Sequence, residues 1–223
     1  MVTLLSRFRR DDSGISMIEG LLVFPIMLIA ITTFIEFGYG VFQWEQTGRA
    51  VAIGARLAAV SDPIVPAANF TPLGATPTGS VTGAPVPGTV VRTSCTGANA
   101  AGSLALCDKT KFDRILFGSD NTCNPSFGTS VPGMCDVNQR IKRENVIVTY
   151  TRDGLGYVGR ESGPVVTVTV QLRDMSFQTI LLGPLLGLDD MPMRPNPVTF
   201  TGEDLASCAS PTRSATDYST PCK

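Results

Sequence analysis

The sequence predicts an α+β protein: a long amino-terminal transmembrane helix followed by a small disulfide-bonded domain with an antiparallel β ribbon. Three observations predict it. Ile15 to Ile35 is an apolar run of about 20 residues, enough to cross a bilayer core as a helix. All six cysteines, Cys95, Cys107, Cys123, Cys135, Cys208 and Cys222, come after that run. Finally, Val166, Val168, Val170 and Leu172 alternate with Thr167, Thr169, Gln171 and Arg173, the period-two pattern of a strand buried on one face.

Residues 1–14 read as a basic leader whose Arg7, Arg9 and Arg10 stay on the cytoplasmic side of a membrane. Glu19 needs explaining, because a carboxylate at the head of a membrane helix costs free energy unless it is paired. A cut between Gly14 and Ile15 would create a cationic α-amine able to pair with it, in the same or a neighbouring subunit. Gly14 with Glu19 five residues into the mature chain is similar to the type IV pilin-like signal that prepilin peptidases read. The surrounding residues resemble the TadE-like minor pseudopilins of tight-adherence pilus systems: Arg9-Arg10-Asp11-Asp12-Ser13-Gly14, Ile18-Glu19-Gly20-Leu21-Leu22-Val23-Phe24-Pro25, Ile35-Glu36-Phe37-Gly38, and Gly48-Arg49-Ala50 through Ala55-Arg56-Leu57-Ala58. The likeness covers Arg7 to about Ala59. Members usually carry an aromatic residue directly after the glutamate, and Gly20 stands there here.

The resemblance implies a processing site at Gly14 and Ile15 and an assembly role for Glu19 in setting subunit register. It also implies partners in a prepilin peptidase, other pilin or pseudopilin subunits and pilus assembly proteins. The expected location is the bacterial inner membrane, as a single-pass protein with a cytoplasmic amino terminus and a periplasmic carboxy-terminal domain. A basic stretch before an apolar run also describes an uncleaved signal anchor. A cleaved secretory signal fits less well, since the run is long for one and Ala50-Val51-Ala52 lies far downstream.

The helix is expected over 15–60, with Pro25 kinking it or loosening one turn and Trp44 at the membrane interface. Gly48, Ala52, Ala55 and Ala59 form one row of small residues, and Ala50, Gly54 and Ala58 a second. Such rows let another helix approach closely, although alanine is also simply a good helix former. Glu36, near the distal end of the apolar run, is expected to reach water or headgroups; the alternative is contact with a basic residue of a partner helix.

Residues 61–92, dense in Pro, Gly, Thr and Ala, read as a linker with extended conformations. Asn69-Phe70-Thr71 matches a glycosylation sequon, which carries little weight in a bacterial protein. Residues 93–223 read as the cysteine-rich α+β domain, within an exported part of about 160 residues, long enough for one core. An even number of cysteines on one side of the span suggests an oxidising compartment. Sequence alone leaves all pairings open; the nearest-neighbour scheme joins Cys95 to Cys107, Cys123 to Cys135 and Cys208 to Cys222. The spacings lack a zinc knuckle and the chain has no histidine, which argues against a metal site. Within the domain, Asn145 to Thr151 and Val165 to Arg173 read as the ribbon, Lys111 to Phe117 as a short helix, and Ser176 to Leu188 as an apolar helix broken at Gly183-Pro184. The last is too short to span a bilayer; it is expected to pack over the sheet or to present a subunit-facing patch.

Gly154-Leu155-Gly156-Tyr157-Val158-Gly159 spells G-x-G-x-x-G, but a dinucleotide site needs those glycines to open a helix. Arg160-Glu161-Ser162-Gly163-Pro164 leads into a strand instead, so a hairpin loop is expected. Without histidine there is no Ser-His-Asp or Cys-His pair. The carboxylate pairs Asp11-Asp12, Asp189-Asp190 and Glu203-Asp204 lack companion motifs. A charged fraction of 17% with a net charge of −1 provides no basic field for nucleic acid. No enzyme activity, cofactor, nucleic acid or small-molecule substrate is expected. The function expected is that of a minor pseudopilin-like component of a tight-adherence pilus assembly or secretion system. The alternatives are an uncleaved membrane scaffold of the secretion machine and a periplasmic adhesin or binding module.

Overall fold

The computed structural model describes residues 13–75, 78–97, 107–124, 131–160, 163–187 and 191–202. The amino-terminal helix, α1, runs Ser13–Ala59 and passes through Pro25 without a break. It belongs to two compact units: its part up to Gln43 groups with Phe177–Met191, and its part from Trp44 groups with the folded domain, Trp44–Ser176 and Pro192 onward.

In the domain, the end of α1 is core. Ala50, Val51, Ala55 and Ala58 are fully buried, and Gly54 lies against Met134 so closely that a Cβ there would overlap its thioether. The small residues therefore do admit close packing, but the neighbour at Gly54 is this chain's own short helix α4, Met134–Val137, rather than a helix of another subunit. Buried Asn138 adds a hydrogen bond from Nδ2 to Thr47 Oγ1 at 2.9 Å.

The expected ribbon forms the centre of a four-stranded antiparallel sheet of order β1-β2-β3-β6: β1 Val91–Thr96, β2 Val146–Arg152, β3 Val166–Leu172 and β6 Val198–Gly202. Its register sets Val146 opposite Leu172, Val148 opposite Val170 and Tyr150 opposite Val168. All six side chains are buried, so the two alternations share one face. On the outer pair, Thr169 and Thr199 join hydroxyls at 2.9 Å. Two further short strands, β4 Met175–Phe177 and β5 Met191–Met193, pair with each other.

Helix α3, Lys109–Phe117, starts two residues before the predicted one because Asp108 caps it, accepting from the N–H groups of Thr110 at 2.9 Å and Lys111 at 3.2 Å. Phe112, Ile115 and Leu116 bury its inner face. Gly118 ends it with φ 75°, a left-handed value that suits glycine.

The first part of the segment expected to be an extended linker, residues 61–74, is folded, while the described residues from 78 to 90 form no helix or strand. Ser61 to Val65 are buried, and helix α2, Ala67–Gly74, places Phe70 and Leu73 in the core. Phe70 meets Tyr150 edge-on, with ring centroids 5.6 Å apart. The Ile64 N–H donates to the Tyr150 hydroxyl at 3.2 Å, and buried Arg152 donates through Nη1 to the carbonyls of Pro72 at 3.1 Å and Ala75 at 2.9 Å. The arginine thus satisfies carbonyls at the end of α2 that have no partner within the helix. The segment is poor in charge and periodicity, yet Ile64, Val65, Phe70 and Leu73 dock it in the core.

Candidate functional site

The amino-terminal half of α1 is long and apolar enough to cross a membrane, and none of its most apolar window is buried within the protein. That separates it from the core helix of a soluble protein, whose apolar face would be covered. Leu21, Leu22, Phe24, Ile26, Phe34 and Phe37 are all exposed by half or more. Glu19 sits on this apolar surface, exposed, and has no hydrogen-bond or ion-pair partner among the described residues. Gly14 and Ile15 lie in the first turn of α1, so their peptide bond is helical. The leader up to Asp12 is outside the described residues.

Glu36 and Gln43, seven residues apart and so on one face of the helix, both reach the segment after β4. The Glu36 carboxylate accepts the N–H groups of Ile180 at 2.8 Å, of Leu181, and of Leu182 at 2.9 Å. Gln43 pairs with the backbone of Gln178 in both directions, donating from Nε2 to its carbonyl and accepting its N–H on Oε1, each at 2.9 Å. Glu36 is only half-buried, as a carboxylate that reaches water or headgroups would be, and in addition three backbone donors of its own chain converge on it. One expectation is corrected. The apolar helix expected over Ser176 to Leu188 is, among the described residues, a single short turn, α5 Leu182–Leu186, preceded by β4, and the segment from Phe177 groups with the first half of α1. Neither Gln43 nor the clasp was anticipated. The available signal was the spacing of Glu36 and Gln43 at the end of an otherwise apolar helix.

In the domain, two cysteine pairs stand at disulfide distance. Cys95 on β1 faces Cys107, just before α3, with Cα atoms 5.6 Å apart, and Cys123 faces Cys135 on α4 at 5.4 Å. These are two of the three nearest-neighbour pairs; Cys208 and Cys222 lie outside the described residues. The second loop is held independently of its sulfur atoms. Buried Asp136 accepts the N–H groups of Asn124 at 2.8 Å and Gly133 at 2.7 Å. Gly118 and Gly133 bring their backbones together where any Cβ would collide with main-chain atoms. Among the described residues no three His, Cys, Asp or Glu side chains cluster as metal ligands would.

The G-x-G-x-x-G loop connects β2 to β3. Val158 donates to the Ala84 carbonyl at 2.8 Å and accepts from the Gly83 N–H at 2.7 Å, while Val86 donates to the Gly156 carbonyl at 3.2 Å. Its glycines open no helix, so no pyrophosphate cradle forms.

No protein-family model, curated protein or solved structure matches the chain. These comparisons assign no family. A functional reading therefore rests on the residues themselves and on the resemblance at the amino terminus.

Proposed function

We propose that the protein is a membrane-anchored, pseudopilin-like subunit of a tight-adherence pilus assembly or secretion system. A prepilin peptidase cuts it between Gly14 and Ile15, and the first half of α1 then docks against other pilin-like subunits. The observation that carries this reading is the division of one helix into two surfaces. From Ile18 to Phe42 it is largely uncovered and apolar with an unpartnered Glu19, while from Ala50 to Ala59 it forms the core of a domain. A helix so divided can stay in a bilayer and exchange lipid for neighbouring helices without disturbing the domain. Glu19 gives that exchange a register, because a carboxylate in an apolar setting needs a partner, and the freed α-amine of Ile15 supplies a cationic one.

The test is assembly of Glu19→Ala and Glu19→Gln variants in a host carrying the secretion system. Both should be inserted and folded but fail to cross-link to, or co-purify with, pilin-like partners. Normal assembly of either variant in a cleaved protein refutes the docking role.

An uncleaved membrane scaffold is the second reading, favoured by the helical Gly14–Ile15 bond, since proteolysis concentrates where the chain is exposed and irregular. Such a scaffold would keep its leader and remain in the membrane when the fibre is sheared away.

A further inference from the structure

We infer that the segment from Phe177 to Gly187 is a second membrane element, an interfacial loop that inserts its apolar side chains into the headgroup boundary of the bilayer beside the transmembrane helix. The inference rests on the membrane-anchor reading of α1 and adds a lipid-binding site to it. Its first ground is level. From Ile18 to Glu36 the helix rises about 27 Å at 1.5 Å per residue, close to the ~30 Å of a hydrocarbon core. The loop is therefore fastened to the helix, through Glu36 and Gln43, at the distal end of its exposed apolar stretch. Phe34, Phe37, Tyr39 and Phe42 crowd the same level, as aromatic residues do at a membrane interface.

The second ground is what the loop shows and hides. Ser176 to Leu188 contains no charged residue and is followed by Asp189-Asp190. Its apolar side chains are uncovered: Ile180 is 49% exposed, Leu181 48% and Leu185 71%. Much of its backbone, by contrast, is satisfied by groups of this chain. Glu36 takes the N–H groups of residues 180, 181 and 182, Gln43 takes both polar groups of Gln178, and Leu185 donates to the Leu181 carbonyl at 3.1 Å. Non-helical chain at membrane depth is tolerated only when its polar groups find protein partners. A loop in water would need no such clasp and would gain nothing from presenting leucines. Lipid is the occupant because the loop's apolar surface continues that of the span it is bound to.

The test uses the full chain in phosphatidylcholine–phosphatidylglycerol vesicles. Trp44, the single tryptophan, is replaced by Phe, and a reporter is placed by Leu185→Trp or Ile180→Trp, with Ile29→Trp as the control inside the span. Lipids brominated near the headgroup end of the acyl chain should lower the loop reporters' emission about twofold, consistent with shallow insertion. Lipids brominated near the chain end should quench Ile29→Trp instead. Adding Glu36→Ala should shift the loop reporters from lipid quenching toward quenching by aqueous iodide. Loop reporters quenched by iodide and not by lipid, while Ile29→Trp responds to lipid, would overturn the inference and leave the anchor intact. Loop reporters shielded from both quenchers would point to a second copy and equally overturn it. Failure of Ile29→Trp to respond to lipid would bring down the anchor reading itself.

Discussion

If the segment from Ser61 to Gly74 is part of the domain core, Phe70→Ala should unfold the domain well before the wild type melts. Phe70 is 3% exposed and edge-on to fully buried Tyr150 at 5.6 Å. Truncating a buried phenylalanine costs about 3–5 kcal/mol, and an aromatic pair accounts for roughly 0.5–1.5 kcal/mol beyond simple burial. Set against the roughly 5–15 kcal/mol that holds a typical domain together, this is a large fraction. At about 2–4 °C per kcal/mol for a domain of this size, Tm should fall by roughly 6–20 °C. The assay is a thermal melt of the full chain in detergent, followed by near-ultraviolet circular dichroism so that the long helix does not dominate the signal. Phe70→Leu keeps most of the apolar volume and should lose much less. A Phe70→Ala protein melting within a degree of the wild type would show the segment to be a solvated linker.

Burial pushes the Tyr150 phenol well above its ordinary value of 10.0, with the Ile64 N–H opposing the shift and Asp62 adding to it. The folded group stays neutral while the unfolded one ionises, so its contribution to stability is complete below pH about 10. Above that it is lost at up to about 1.4 kcal/mol per pH unit; urea titrations should show the slope flattened in Tyr150→Phe, and an unchanged slope would refute the assignment. Replacing Cys95 and Cys107 together by serine should cost about 2–3 kcal/mol in urea unfolding, as expected for opening a loop of this length, and reductant should cost the wild type more than that, because it also opens Cys123–Cys135. Asp136→Ala leaves the N–H groups of Asn124 and Gly133 without an acceptor; both amides should exchange with deuterium at least about tenfold faster, given roughly 1.5–3 kcal/mol for a hydrogen bond to a charged group. Protection unchanged from wild type would place the strength of that loop in its disulfide alone.

What could be read from the sequence follows from how burial marks a chain. β2 and β3 are central strands in which buried Val146, Val148 and Tyr150 and their partners alternate with half-buried residues, polar ones throughout β3, so the period is visible in the sequence. The edge strands β1 and β6 bury little, with Cys95 the one buried residue of β1, and their sequences carried no comparable signal. The Cys95–Cys107 and Cys123–Cys135 pairs belong to the nearest-neighbour scheme, one of the pairings that the sequence leaves open. The docking of α2 was not legible, since it depends on Tyr150 and Arg152, more than seventy residues away in sequence. Glu36 stands out in the sequence as a charge at the end of an apolar run, but its acceptor role is set by Ile180, Leu181 and Leu182, which no local pattern connects to it.

The most direct measurement of the proposed function is the intact mass and amino-terminal sequence of the protein purified from membranes of a host that expresses a prepilin peptidase. A chain beginning at Ile15 is expected, and only when the peptidase is active. A chain that still carries Met1 to Gly14 with the peptidase present would contradict it.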